Sequence, residues 1–250
     1  MQNNIKIIRP AIFSPHGNLK FGFSTRIGGV SPPPFDLNLS FKVGDDKERV
    51  IENRQRFFGK IGIPIERLAI PDQVHGTKIL SVTSPGIYDS CDGLMTSVEN
   101  IYLVVTVADC VPIFLFDPTL PAVAAVHAGW KGCKSNILKI ALNEMSSKLG
   151  VNPSNLIAFI GPSASVCCYE VENQIAEQFD DVYVLHRSGK KPHLDMKAMQ
   201  VDALLEGGVK MNKIEVSHYC TICNPALFHS YRRSGEQSGR MMGVIGFTKD

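Results

Sequence analysis

Residues 101–130, IYLVVTVADCVPIFLFDPTLPAVAAVHAGW, decide how this chain folds. Three apolar runs, Ile101–Val107, Val111–Phe116 and Ala122–Val126, follow one another with short breaks. Runs this short, rich in Val, Ile and Phe, read as buried strands rather than helices. Outward from them, Leu19–Ser24, Lys78–Thr83, Leu156–Ile160, Lys213–Val216 and Met242–Phe247 are further strand candidates. A helix is predicted to open at Asp45, whose carboxylate caps the first amides while Glu48 reaches back. Val50, Ile51, Phe57, Phe58 and Ile61 fall near helical spacing and give it a core face. Helices are also predicted over Ser135–Leu149, Glu170–Phe179 and Met196–Leu205. Strands that alternate with helices, yet in places succeed each other directly, favour an α/β or α+β domain with mixed sheets. No compositional shift marks a linker, so residues 1–250 read as one domain.

Composition narrows the function classes. Hydrophobic residues make up 44% and charged residues 20% of the 250, enough for a packed core and unlike a disordered or coiled-coil chain. Lys and Arg number 26 against 24 Asp and Glu, and a net charge of +2 is too small for gripping nucleic acid. No apolar run approaches the ~18 residues of a membrane span. The segment MQNNIKIIRP lacks the apolar core of a secretory signal. The expectation is a soluble, cytoplasmic protein without nucleic-acid or membrane partners, monomeric or a homodimer.

The seven cysteines, an odd number, argue against a disulfide framework. Cys220-Thr221-Ile222-Cys223 is a CxxC with His218 and His229 nearby, but a second CxxC is missing, so packing is the expected role. Cys167-Cys168 is a vicinal pair, read as one buried and one half-exposed thiol.

Three strand-like segments end in metal-capable side chains: Pro71-Asp72-Gln73-Val74-His75-Gly76, Thr106-Val107-Ala108-Asp109-Cys110 and Ala125-Val126-His127-Ala128-Gly129-Trp130. Sites gather where loops converge beyond strand ends. Two imidazoles and a thiolate suit zinc, and three protein ligands leave a position open for water or substrate. The spacings, 35 residues from His75 to Cys110 and 17 more to His127, match no compact zinc-finger pattern. Spacing alone therefore leaves hydrogen-bonded packing as the ordinary alternative. Cys110 and His127 also permit a nucleophile pair in which the imidazole lowers the thiol pKa. Asp92 and Asp109 are the carboxylates nearest these motifs, candidates for a general acid or base or for turn caps.

The loop Arg26–Ser40, RIGGVSPPPFDLNLS, is long and irregular, a feature that usually signals function. Arg26 with the amides of Gly28 and Gly29 offers an anion site, although an ordinary surface turn fits equally. Tyr231-Arg232-Arg233 and Arg240 form a basic cluster; guanidinium forks suit phosphate, but such clusters are usually solvated.

The strings STRIGGVS (24–31), DQVHG (72–76), CDGLMT (91–96), TVADCVPIFLFD (106–117), VHAGWKG (126–132), IGPS (160–163) and the tail CTIC…FHSYRR…GR resemble one family in order along most of the chain. That family carries the label of laccase-domain or multicopper polyphenol oxidoreductase and is described as purine nucleoside phosphorylases with adenosine deaminase activity. The resemblance implies a four-layer α/β/β/α fold with mixed sheets, shared with cytotoxic necrotizing factor. It implies His75, Cys110 and His127 as metal ligands, with zinc as cofactor, copper as the alternative, and a nucleoside and phosphate as substrates. For such a reaction Arg26, Gly28 and Gly29 are the candidates to hold phosphate, Gln73 to contact substrate, and Asp92 or Asp109 to move the proton. One zinc per chain is the expectation. A copper-dependent phenol oxidase and a cysteine hydrolase using Cys110 and His127 remain as alternatives. A multicopper cluster needs more histidines than the seven scattered here supply.

Overall fold

Alternation along the central strands divides the interior into layers. In the computed structural model, which describes residues 4–249, Tyr102–Val107 sends Leu103, Val105 and Val107 to one core and Tyr102 and Val104 to another. Val111–Asp117 likewise splits Phe114 and Phe116 from Ile113 and Leu115. Two sheets stacked face to face produce this pattern: each central strand is buried on both faces because a sheet covers one and helices the other.

In chain order the strands are β1 (Ile7–Ile8), β2 (Leu19–Ser24), β3 (Leu68–Pro71), β4 (Ile79–Ser81), β5 (Gly86–Tyr88), β6 (Gly93–Thr96), β7 (Tyr102–Val107), β8 (Val111–Asp117), β9 (Ala122–Ala128), β10 (Ile157–Ile160), β11 (Val184–Leu185), β12 (His193–Leu194), β13 (Ile214–Val216) and β14 (Met241–Phe247). The first sheet runs β1-β2-β14-β7-β3-β5 and the second β13-β10-β8-β9-β6-β4, while β11 and β12 pair separately. Both large sheets are mixed: β3 lies parallel to β7 and β5, whereas β8 and β9 form an antiparallel pair from Val111–Ala128 to Asp117–Ala122.

The helices are α1 (Lys47–Ile61), α2 (Trp130–Lys134), α3 (Ile137–Leu149), α4 (Asn173–Ala176), α5 (Met196–Glu206) and α6 (Tyr231–Ser234). Phe57, Phe58 and Ile61 of α1 pack on Val104 and Val244 of the first sheet. Leu138, Ala141, Leu142 and Met145 of α3, with Met196 and Leu204 of α5, cover the second. Between the sheets, Phe21, Phe114 and Phe159 meet ring to ring, with Phe21 edge-on to the other two. The order is helix, sheet, sheet, helix, the four-layer arrangement with mixed sheets.

The helix boundaries differ from expectation in informative ways. Asp46, not Asp45, caps α1, accepting the Arg49 amide at 3.0 Å. Asp45 instead accepts from Ser31 Oγ and Asn38 Nδ2 and fastens the long loop. Ile51 is exposed; its expected core place goes to Asn53, which is fully buried. Asn53 takes the Val30 amide and donates to Ser31 Oγ, Asp36 O and Asn38 O, so the irregular segment is knitted to α1 by one side chain. The helix expected from Glu170 shrinks to Asn173–Ala176 because Glu170 bridges His193 and the Val171 amide bonds Pro192. Asn136, at φ 54°, separates α2 from α3 inside the span expected from Ser135. Among the described residues, no helix is long and apolar enough to cross a membrane.

Candidate metal centre and its cavity

The chain passes from the first sheet to the second three times, between β3 and β4, between β5 and β6 and between β7 and β8. His75 lies in the first of these crossings and Cys110 in the third, while His127 sits on β9, paired with Pro112 of β8. Residues 35 and 17 apart in sequence thus meet at the seam of the sheets. Donor atoms of His75, Cys110 and His127 all lie within 4.8 Å of one another. The two imidazoles are nearly perpendicular, with ring centroids 4.8 Å apart.

Asp92 holds this arrangement. Its carboxylate accepts the amides of His75 at 2.9 Å, Gly76 at 2.6 Å and Val74 at 3.3 Å, and it bonds Nδ1 of His127 at 2.8 Å. Burial alone would raise the Asp92 carboxyl, but the His127 bond and the amides bring it below the usual range. With Nδ1 engaged, His127 turns its other nitrogen toward Cys110, the way a carboxylate orients a ligating histidine. Burial would also raise the Cys110 thiol, yet His127 and His75 draw it down to about 6. His127 moves oppositely: Cys110 and Asp92 overcome burial and lift it to about 9. A thiolate facing two imidazoles is a donor set that fits a borderline-soft cation. Gly129 leaves space for it, since a Cβ there would stand 3.1 Å from the His75 ring and 3.2 Å from Cys110 Sγ.

A cavity of about 790 Å³ opens beside these three side chains. Its walls include Arg54, Arg240 and Lys42, the carboxylate of Asp72, and the rim side chains Phe41, Ile87 and Tyr231. Lys42 pairs with Asp72. Arg54 lies over the Phe41 ring at 4.3 Å and gives Nε to Leu39 O; burial pushes it down to about 10.

The other expected site residues are placed differently. Asp92 is fully buried behind the three side chains and does not line the cavity; its carboxylate is engaged by His127 and three backbone amides. Asp109 is also buried, its carboxylate filled by Thr221 Oγ1 at 2.6 Å, Ser230 Oγ at 2.9 Å and the Arg232 amide at 2.7 Å. These bonds fix the turn where Asp109 adopts φ 89°, one residue before Cys110. Neither carboxylate lines the cavity. Gln73 lines the cavity, but its amide is spent on both backbone groups of Thr106, each at 2.8 Å.

Arg26, Gly28 and Gly29 line a separate shallow pocket with Asp36 and Pro225, away from the metal ligands. The Arg26 guanidinium is occupied by Asp36 and by the carbonyls of Pro34 and Pro225. Gly29 is required by the fold, since a Cβ would come within 2.0 Å of Asp36 O. Two further cations line the cavity without standing in any sequence motif, Lys42 and Arg54. Arg240 stood in the basic cluster, and the structure separates it from Arg233, which binds loop carbonyls.

Residues 20–248 match the family described as multi-copper polyphenol oxidoreductase laccase. A Bacillus subtilis relative called purine nucleoside phosphorylase YlmD is 33% identical over 90% of this chain and 87% of its own. A Deinococcus radiodurans relative called purine nucleoside phosphorylase is 36% identical over 96% and 94%. The crystal structure of YlmD from Geobacillus stearothermophilus superposes with a TM-score of 0.91 at 30% identity, covering 99% of this chain and all of that one. With a match spanning nearly its whole length and a shared fold, the chain belongs to the multi-copper polyphenol oxidoreductase laccase family, among whose members are proteins named purine nucleoside phosphorylase.

Proposed function

We propose that this protein is a zinc-dependent purine nucleoside phosphorylase, acting on adenosine, inosine, guanosine or methylthioadenosine, that also deaminates adenosine. The observation that carries the reading is one cavity, lined by His75, Cys110 and His127 together with Arg54, Arg240 and Lys42. Its volume suits a nucleoside with phosphate. Zinc held by the three ligands supplies a Lewis acid able to activate water or polarise a substrate oxygen. In phosphorolysis a phosphate oxygen bonds the sugar C1′ as the C1′–N9 bond breaks, and the purine leaves with the electron pair and takes a proton. Arg54, Arg240 and Lys42 would bind the phosphate, replacing Arg26 and the glycines in that role. Phe41, Ile87 and Tyr231 offer apolar faces to the base. The proton taken by the purine comes from the incoming dihydrogen phosphate or from solvent, while Asp72, the carboxylate among the described lining residues, orients Lys42 toward the cavity.

Zinc is favoured over a copper cluster by the donors: neither metal-capable group among the described residues has more than two histidines. The test is purified protein with inosine or adenosine, with and without phosphate. Free base and sugar 1-phosphate should form only with phosphate, and adenosine alone should yield inosine. Turnover of phenols with no base released would overturn the reading. Cys110, His127 and Asp92 also form a nucleophile–base–orienter chain, which favours a cysteine hydrolase as the second reading. That reading predicts that His75→Ala stays active, because His75 has no part in such a chain.

A further inference from the structure

Four further cysteines, outside the cavity, converge from two loops. Cys167 and Cys168 follow β10, and Cys220 and Cys223 follow β13. Their sulfurs all lie within 4.8 Å of one another, Cys167 and Cys223 at 4.0 Å, and all four are free thiols. Tetrahedral zinc with ~2.3 Å bonds to sulfur sets its ligands roughly 3.8 Å apart, so the cluster needs only slight contraction. Packing does not account for it. Thiols kept as small apolar side chains are buried, whereas Cys167 and Cys223 are exposed. The missing second CxxC is supplied by a vicinal pair, which no spacing rule anticipates.

We propose that Cys167, Cys168, Cys220 and Cys223 form a second metal centre, a tetrathiolate zinc site that clamps the two loops gripping Asp109. The loops are already in register: Ser163 and Cys220 form a parallel bridge, and the Thr221 amide bonds Ser163 O at 3.0 Å. The knuckle is braced as zinc knuckles require. Asn224 Nδ2 bonds Cys220 O at 2.8 Å and approaches Cys223 Sγ at 3.7 Å, and the amides of Ser165, Ile222 and Cys223 face the Cys220 sulfur. Zinc with four thiolates carries two net negative charges, and two cations, the buried Lys197 and the half-buried Arg233, stand beside it to offset them. Lys197 Nζ is buried between Ser217 O and Tyr219 O at 2.7 and 2.8 Å, and Arg233 holds the carbonyls of Thr221 and Ile222. Binding releases the four thiol protons and forms four zinc–sulfur bonds with no change of oxidation state.

The site has a mechanical purpose. Thr221, inside the CxxC, donates to Asp109 Oδ1, and Ala164, three residues before Cys167, bonds Asp109 O at 2.9 Å. Both loops therefore converge on the residue before Cys110, and a metal joining them stiffens the wall of the first centre. This inference does not depend on the phosphorylase reading.

Zinc per chain in untagged protein purified under reductant tests it. Wild type should carry about two zinc ions, and Cys223→Ser or Cys167→Ser about one. His75→Ala/His127→Ala should also keep about one and, loaded with cobalt, show the intense near-ultraviolet thiolate-to-cobalt absorption that Cys167→Ser/Cys223→Ser lacks. Should the histidine variant fail to fold, the exposed Cys223→Ser decides by itself. Equal zinc in wild type and Cys223→Ser would overturn the proposal. So would two disulfides among the four cysteines in protein that retains full activity.

Discussion

Asp92 accepts three backbone amides and His127 Nδ1, and this single carboxylate sets both the path of the His75 loop and the tautomer of His127. Replacing such an orienting carboxylate typically weakens metal affinity 10- to 100-fold. Asp92→Asn should therefore fold, bind zinc at the first centre about 10- to 100-fold more weakly by competition with a chelator, and regain activity at high zinc. Activity lost without any change in affinity would mean that Asp92 meets the substrate after all. Gly129 makes a complementary case. A methyl 3.1 Å from the His75 ring and 3.2 Å from Cys110 Sγ must displace a ligand, so Gly129→Ala should lower zinc occupancy. The strings DQVHG, ADC and HAGW pointed to His75, Cys110 and His127, and the fold brings these three side chains together. Whether Asp92 and Asp109 acted on substrate or on the scaffold was not legible, because a carboxylate's role depends on donors distant in sequence. Thr221 and Ser230, for example, lie more than a hundred residues beyond Asp109.

At the scale of elements, the irregular segment Arg26–Ser40 is a structural strap. Its length suggested function, but Asn53 and Asp45 spend their bonds holding it to α1. Removing a buried hub leaves unsatisfied partners at about 1–3 kcal/mol each when they stay dry. Asn53→Ala should thus cost roughly 2–4 kcal/mol in urea denaturation while leaving the catalytic rate of the folded fraction unchanged. The cations of the cavity behave differently. Arg240→Ala removes a charged contact worth on the order of 1.5–3 kcal/mol, so phosphorolysis should fall roughly ten- to more than a hundredfold with adenosine deamination largely kept. Arg26→Ala should not produce that split, because its guanidinium is already paired with Asp36. Loss of both activities alike in Arg240→Ala would place that residue in the scaffold. Lys42 and Arg54 escaped notice in the sequence because they sit in no motif. They reach the cavity only once α1 and its preceding loop pack on the first sheet.

Across the whole molecule, the two-sheet stack was legible because β7, β8 and β9 are apolar on both faces and succeed each other directly. The short strands β1, β3, β5, β6, β11 and β12 were not, since runs of two to four residues carry no period. Stacking also buries His229 beside Arg26, Arg233 and Arg240. Burial first, then those guanidinium charges, push its imidazole down to about 3. The unfolded chain binds that proton near pH 6.5 and the native chain does not, so stability falls as pH drops from about 6.5 toward 3. The slope is at most about 1.4 kcal/mol per pH unit. Urea midpoints at pH 7 and 4 should converge in His229→Gln relative to wild type. Parallel acid dependence in both proteins would show that His229 contributes nothing to it.

The central claim, that His75, Cys110 and His127 hold the metal serving both activities, is tested most directly by Cys110→Ser. Zinc content and inosine phosphorolysis should be measured on the same folded, reductant-purified sample, with wild type beside it. A hydroxyl stays protonated and hard where zinc selects a thiolate. The variant should melt near the wild-type temperature, carry about one zinc ion fewer per chain, and lose phosphorolysis together with adenosine deamination. A Cys110→Ser protein with the wild-type zinc content and undiminished phosphorolysis would contradict the account.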